Sequence, residues 1–294
     1  MSARTVNAGR FVSRLARRSR SNFLYAFLCL PRRQREAIYA AYAFCRIVDD
    51  AVDLGGDREE QRRELDRWRR EIARVYDGVP EHPAGQRLQA AVRVFPIPRQ
   101  ALLDVIAGVE MDLEHATYET FDDLYPYCYR VASAVGLCCI EIFGYSDPRA
   151  REYAINLGIA LQLTNILRDV EPDARAGRVY VPQEDLRRFG VTVEQLTAGR
   201  YTPEFVELMR WEATRARCYY DEAWAALPTV DARRLFAAEI MGRTYYALLR
   251  AIEESRFRVF GRRVTLPAYQ RVGIALGCWV RARWKAGHGA AFAR

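Results

Sequence analysis

Lysine is nearly missing from this chain: Lys285 is the only one among 45 basic side chains, and histidine occurs three times. Seven cysteines, at 29, 45, 128, 138, 139, 218 and 278, form an odd set with no CxxC pair. That combination argues against zinc-ligand spacing and against a disulfide framework, and it reads as reduced thiols in the apolar helices of a cytoplasmic protein. No uncharged apolar run reaches the ~20 residues that a bilayer span needs, because Glu141 interrupts one candidate and Asn156, Gln162 and Asn165 interrupt another. The stretch from Phe23 to Leu30 imitates a secretion signal, but Pro31-Arg32-Arg33-Gln34-Arg35 follows where a small-residue cleavage site would stand, so secretion is not expected. Also lacking are alternating β-branched runs, a repeat of fixed period, a low-complexity tract and a long flexible linker. Their absence argues against a sheet, a solenoid and tethered domains.

What is present is the composition of a packed globular protein, with 50% hydrophobic, 28% charged and 12% aromatic residues in 294. The net charge of +8 rests on arginine, whose excess follows from genomic base composition as readily as from phosphate recognition. With no zinc finger, RNP-like strand or glycine-rich basic tail, the charge points to an anionic small substrate or a lipid surface rather than to nucleic acid. Helical periodicity predicts helices over 33–54, 58–77, 85–94, 99–115, 121–143, 148–169, a short one near 183, then 203–227, 231–254 and 266–285. Glycine and proline breakers separate them. The expected fold is all-α, with one domain over 21–285, a candidate mobile segment at 1–20 and a tail at 286–294.

Two of these helices run apolar and then turn acidic. In the first, Tyr39 to Asp53, Asp49 and Asp53 are four apart and share a face, with Asp50 three before Asp53. Gly55 and Gly56 suggest a helix C-terminus, where the macrodipole disfavours negative charge, so three carboxylates there need a cation. In the second, Asn165, Asp169 and Asp173 step four and four down one face, with Pro172 breaking the regularity of the last step and Gln162 adding an amide three residues earlier. All these donors are oxygen, or nitrogen aimed at phosphate, which favours Mg²⁺ or Mn²⁺ over zinc; Mg²⁺ keeps waters and is completed by substrate phosphates. Either step alone equally fits a solvated helix end paired with Arg46 or Arg168. Together they suit facing carboxylates that hold metal ions around a diphosphate. Asp122-Asp123 reads as a helix N-cap pair and is left aside.

The string Gln162-Leu163-Thr164-Asn165-Ile166-Leu167-Arg168-Asp169, continued by Asp173 and by Gly177-Arg178-Val179-Tyr180-Val181-Pro182, resembles the squalene and phytoene synthase family, which joins two prenyl diphosphates head to head. The likeness runs from Ser19 to about Val264. It implies an isoprenoid-synthase-type helical bundle around a central apolar cavity. It further implies that Asp49, Asp53, Asn165, Asp169 and Asp173 bind Mg²⁺ bridged to the substrate diphosphates, and that the metals neutralise the leaving group as an allylic C–O bond ionises. Arg46, Arg168, Arg178 and Arg263, with Ser19 and Ser21, match positions that bind diphosphate. Tyr42, Tyr127 and Tyr246 match active-site tyrosines: Tyr127 would steer proton loss with the released diphosphate, and Tyr42 and Tyr246 would shape the surroundings of the cation. Val131 and Val135, on the central helix, and Phe23 and Phe27 would bound the prenyl tails and exclude water.

Within the family, residues 21–27 and 125–133 look most like bacterial presqualene diphosphate synthases of the hopanoid pathway. This implies two farnesyl diphosphates as substrates, no use of NADPH, and downstream squalene or hopanoid enzymes as partners in sequence. A reducing squalene synthase and a phytoene or dehydrosqualene synthase are the alternatives within the family. Outside it, the cluster Arg14, Arg17, Arg18 and Arg20 admits a noncatalytic protein that binds membrane or polyanion. Peripheral contact with the inner face of the cell membrane is compatible with either reading.

Overall fold

The computed structural model describes residues 27, 30–53, 57–114 and 116–289. Ser19, Ser21, Phe23, the arginine cluster at 14–20, Cys29, Gly55 and Gly56 lie outside the described residues, as does 290–294.

Twelve α-helices are described. After Pro31, α1 (Arg32–Asp53) buries Ile38, Ala41, Phe44, Val48 and Val52, a stripe at spacings of three and four. It packs beside α2 (Arg58–Asp77) and α3 (Pro83–Val92), the latter started by Pro83 and capped by His82, whose Nδ1 accepts the Ala84 N–H at 3.1 Å. Then come α4 (Arg99–Glu114), α5 (Phe121–Cys128), a π turn (Tyr129–Ser133) and α6 (Ala134–Phe143). Through the middle runs α7 (Arg149–Arg175), packed on the π turn, α6, α10 (Pro203–Ala226) and α11 (Phe236–Glu254). The short helices α8 (Gln183–Phe189) and α9 (Val193–Thr197) bridge α7 to α10, a 3₁₀ turn (Thr229–Asp231) precedes α11, and α12 (Ala268–Gly289) closes the described chain. Among the described residues there is no strand, only an isolated bridge between Thr117 and Val179. The fold is the all-α bundle that the periodicity predicts.

The departures are local and have causes. The helix expected over 121–143 contains the π turn, and glycines on both neighbouring helices allow it. A Cβ at Gly108 of α4 would lie 2.8 Å from the Arg130 Cβ, and one at Gly158 of α7 would lie 2.5 Å from the Ser133 Cα. The two backbones approach the turn too closely for any side chain there. The helix expected to stop at 169 continues to Arg175, because Pro172 kinks it without ending it. Pro172 has no N–H for the Arg168 carbonyl, and Asp169 takes up the slack at φ −107° and ψ 16°. The helix expected from 231 starts at Phe236, since the buried Asp231 carboxylate instead accepts the N–H groups of Ser146 and Asp147. Thr120, not Asp122, is the N-cap of α5, and Asp123 completes a capping box with it. Of the described cysteines, Cys128, Cys138, Cys139 and Cys278 are buried thiols, while Cys218 is exposed, unlike the core thiol expected there. Residues Phe121–Phe143 are long and apolar enough to cross a membrane by composition alone, yet more than half of that stretch is interior.

Candidate active site

Two cavities meet inside the bundle. An apolar one of about 230 Å³ is lined by Phe27, Val131, Val135, Leu157, Leu161 and Met241, among others. A polar one of about 240 Å³ carries Arg46, Asp49, Asp112 and Tyr127. Tyr42, Cys45, Val131 and Gln162 line both. Local structure explains who faces where: Tyr42, Cys45, Arg46 and Asp49 lie at three- and four-residue steps on α1, Val131 and Val135 flank the end of the π turn, and Gln162 and Asn165 share a face of α7.

In the first acidic step Arg46 braces Asp49 and Asp50. Arg46 Nη1 lies 3.1 Å from the Asp49 carboxylate and Nη2 2.6 Å from that of Asp50. Asp49 opens to the polar cavity and its side chain is 45% exposed. Asp53 is the last residue of α1, one position beyond Val52, whose carbonyl accepts the Gln61 amide at 2.9 Å.

The second step is more enclosed. Arg168 forks the Asp169 carboxylate, its Nε 2.9 Å from Oδ1, and Arg263 forks the same group from the loop before α12 at 3.1 and 3.0 Å. Burial works against the Asp169 charge, yet the two guanidiniums prevail and hold its carboxyl below the usual range. One turn on, Asp173 behaves oppositely: burial, then the neighbouring Asp169, push its pKa up from 3.8 to about 7, against the opposing pull of Arg178. Asn165 donates to Gln162 Oε1 at 3.3 Å and lines the apolar cavity, while its own Oδ1 is buried with no hydrogen-bond partner.

Asp112 was not singled out by sequence, and it ties the site together. Tyr180 donates its hydroxyl to Asp112 Oδ1 at 2.7 Å, Tyr127 donates to Oδ2 at 3.2 Å, and Arg178 Nη1 stands 3.9 Å away. The Tyr127 and Tyr180 rings stack with centroids 5.0 Å apart. Burial and the Asp112 charge push both phenols well above 10, so they stay protonated and donate. Tyr245 is a second unforeseen member, hydrogen-bonded to Arg168. Tyr246 instead packs edge-on against Tyr220 and Trp224, at 5.2 and 4.9 Å, and lines neither cavity. The only local hint at Asp112 is an acid between the buried Met111 and Leu113; its partners lie 15 and 68 residues away.

Among the described residues no three carboxylate, imidazole or thiol groups gather closely enough to hold a metal unaided. The donors nonetheless suit a hard divalent cation that shares its shell with water and phosphate. They are oxygens, the buried Asn165 Oδ1 lacks a partner, and Asp173 stays partly protonated among like charges that a cation would relieve.

A model of the squalene/phytoene synthase family matches residues 16–270. The chain belongs to that family. The 15-cis-phytoene synthase of Synechococcus elongatus is 35% identical over 264 residues, 85% of either chain. A crystal structure of a dehydrosqualene synthase with ligand superposes with a TM-score of 0.85 at 28% identity, covering 95% of this chain and 98% of that one. The squalene synthase HpnC of Alicyclobacillus acidocaldarius gives 0.77 at 32% identity, covering 87% and 97%. The bundle is therefore the isoprenoid-synthase fold, and the family chemistry is divalent-metal-dependent head-to-head condensation of prenyl diphosphates.

Proposed function

We propose that this squalene/phytoene synthase family member joins two farnesyl diphosphates into presqualene diphosphate, releasing one diphosphate and one proton per product and using no NADPH. The observation that carries the reading is the shared wall of the two cavities. A charged diphosphate has arginine, carboxylate and phenol on one side, and its hydrocarbon tail has a dry pocket on the other. On this reading the enzyme works in the cytoplasm, and its product passes to downstream squalene or hopanoid enzymes.

Asp49 and Asp53 on α1, and Asn165, Asp169 and Asp173 on α7, would hold Mg²⁺, which when bound neutralises the departing diphosphate. Arg46, Arg168, Arg178 and Arg263 receive phosphate oxygens, and Arg263 and Arg168 trade their carboxylate partner for them. Ser19, Ser21 and Phe23 complete this end on the family pattern. Tyr42 and Val131, at the seam, face the allylic carbon as its C–O bond breaks, and the second substrate's double bond supplies the electrons of the new C–C bond. Loss of a proton then closes the cyclopropane. A base poised for this step needs a pKa near the working pH, so the buried Tyr127 phenol does not take the proton by itself. It donates its one hydroxyl proton to Asp112 and steers the step as a fixed wall of the polar cavity, beside the released diphosphate that accepts the proton.

The tail length rests on the likeness of residues 21–27 and 125–133 to presqualene diphosphate synthases. A second reading, condensation of two C20 diphosphates, draws on the phytoene synthases among the relatives. Product masses decide between them. Farnesyl diphosphate with Mg²⁺ and no reductant should yield the C30 cyclopropylcarbinyl diphosphate. Squalene made only with NADPH points to a squalene synthase, and turnover of the C20 substrate alone points to a phytoene synthase.

A further inference from the structure

The net charge of +8 conceals a strong partition. Nine arginines and no acid precede Glu36, nine basic residues and no acid follow Glu254, and the 219 residues from 36 to 254 hold 27 basic and 37 acidic side chains. The body is acidic and both ends are basic. The described part of the basic C-terminal end is the loop 255–267 and α12.

That helix is apolar on the wrong side for a core element. Tyr269, Val272, Leu276 and Val280 are 73%, 52%, 60% and 49% exposed. At ~100° per residue they fall within about 60 to 80° of one another, one continuous stripe along the helix. Cys278, on the opposite face, is fully buried, and Ile274 and Ala275 pack against the core, so α12 has an inner apolar seam and also an outer one. Arg258 and Arg262 are exposed in the loop that leads into it, while Arg281, one position past Val280, is exposed on the Cys278 side of the helix. A helix with an exposed apolar stripe, a cationic loop leading into it and no acid has the signature of one that lies in a membrane interface.

We propose that α12 and the loop before it dock this protein on an anionic lipid surface, with Tyr269, Val272, Leu276 and Val280 entering the headgroup boundary and Arg258 and Arg262 meeting lipid phosphate. Charge selects this occupant over the others. A second copy paired helix to helix would set one acid-free helix against another, and residues 1–26, with six arginines and no acid, would repel it as well. A nucleic acid would satisfy the arginines and leave the stripe in water. The placement also suits the site: Arg263 contacts Asp169 directly, so the docking helix begins five residues after a guanidinium that forks the second acidic step.

The test is sedimentation of the full chain with vesicles, in the absence of any prenyl substrate. Wild-type protein should pellet with phosphatidylglycerol-rich vesicles, at least about tenfold less with phosphatidylcholine alone, and progressively less as salt is raised. The double variant Val272→Glu/Leu276→Glu should lose about tenfold or more of its partitioning at an unchanged melting temperature. Arg262→Glu should weaken only the salt-sensitive part, and Val79→Glu, at an exposed valine elsewhere, should change nothing. The proposal is overturned if wild-type protein ignores anionic vesicles, if the double variant binds as well as wild type, or if the double variant dissociates a dimer and thereby assigns the stripe to a second copy. No outcome depends on turnover, so this result and that of the condensation assay are read separately.

Discussion

The two acidic steps look alike in sequence and differ in the folded protein. On α1, Asp49 and Asp50 share one guanidinium, Arg46, and all three side chains are partly open to solvent. On α7, Asp169 is 18% exposed and is forked by two arginines, one of them 94 residues away. The first is an open lip whose charges water already screens. The second is an enclosed electrostatic knot on a kinked helix. A spacing of four places carboxylates on one face, but surrounding cations and burial decide whether those carboxylates also hold the structure together.

Substitution separates the two roles, and the largest effect belongs to the knot. Asp169→Asn leaves Arg168, only 10% exposed, without its carboxylate. Diphosphate release should fall by about a thousandfold and stability by about 3 kcal/mol, read together by turnover and by urea unfolding. Asp49→Asn should cost comparable activity, yet less than about 1 kcal/mol of stability, because the Arg46 pair is exposed. Equal destabilisation by the two variants would erase the distinction drawn here.

Asp112 sharpens the comparison, since it couples the polar cavity to α7 through Arg178 and to the ring stack through two phenols. Asp112→Asn keeps the shape and removes the charge that both hydroxyls donate to. We expect kcat to drop by about a hundredfold with KM little changed. Tyr127→Phe should do the same, and the double variant should be no worse than either single one, because the two act as a unit. Additive losses would mean that the hydrogen bond does not link their roles.

How much of this was legible in the sequence follows from the range of each interaction. Both carboxylate ladders could be read because i to i+4 spacing is a local property, and so could the helices, whose stripes repeat within a turn or two. The π turn could not be read, because its cause is two glycines on other helices, Gly108 and Gly158, and no pattern within 121–143 reports them. The continuation of α7 past Pro172 was missed because a kinked helix and a stopped helix have the same residues at the break. Asp112 and Tyr180 stayed hidden because a buried acid looks like any other until its distant partners are in place. Arg263 was found only through family resemblance, and the fold supplies its physical reason, a second fork on Asp169.

The smallest effect expected is a pH dependence at Asp173. Its pKa, 3.8 when free, stands at about 7 in the fold without metal. Between those values the folded state keeps a proton that the unfolded chain has released, so metal-free stability declines as pH rises through the window and levels off above it. Mg²⁺ reverses the sense, because a cation that binds the carboxylate must expel that proton and so binds better at higher pH. The melting temperature should therefore gain more from Mg²⁺ near pH 8 than near pH 6, by about 2 °C or more. Asp173→Asn should abolish the difference, while Asp49→Asn, on the exposed lip, should weaken the Mg²⁺ gain at both pH values without flattening its slope. If the slope survived in Asp173→Asn, the proton would belong to another group, and the enclosed step would not be the one that titrates with the metal.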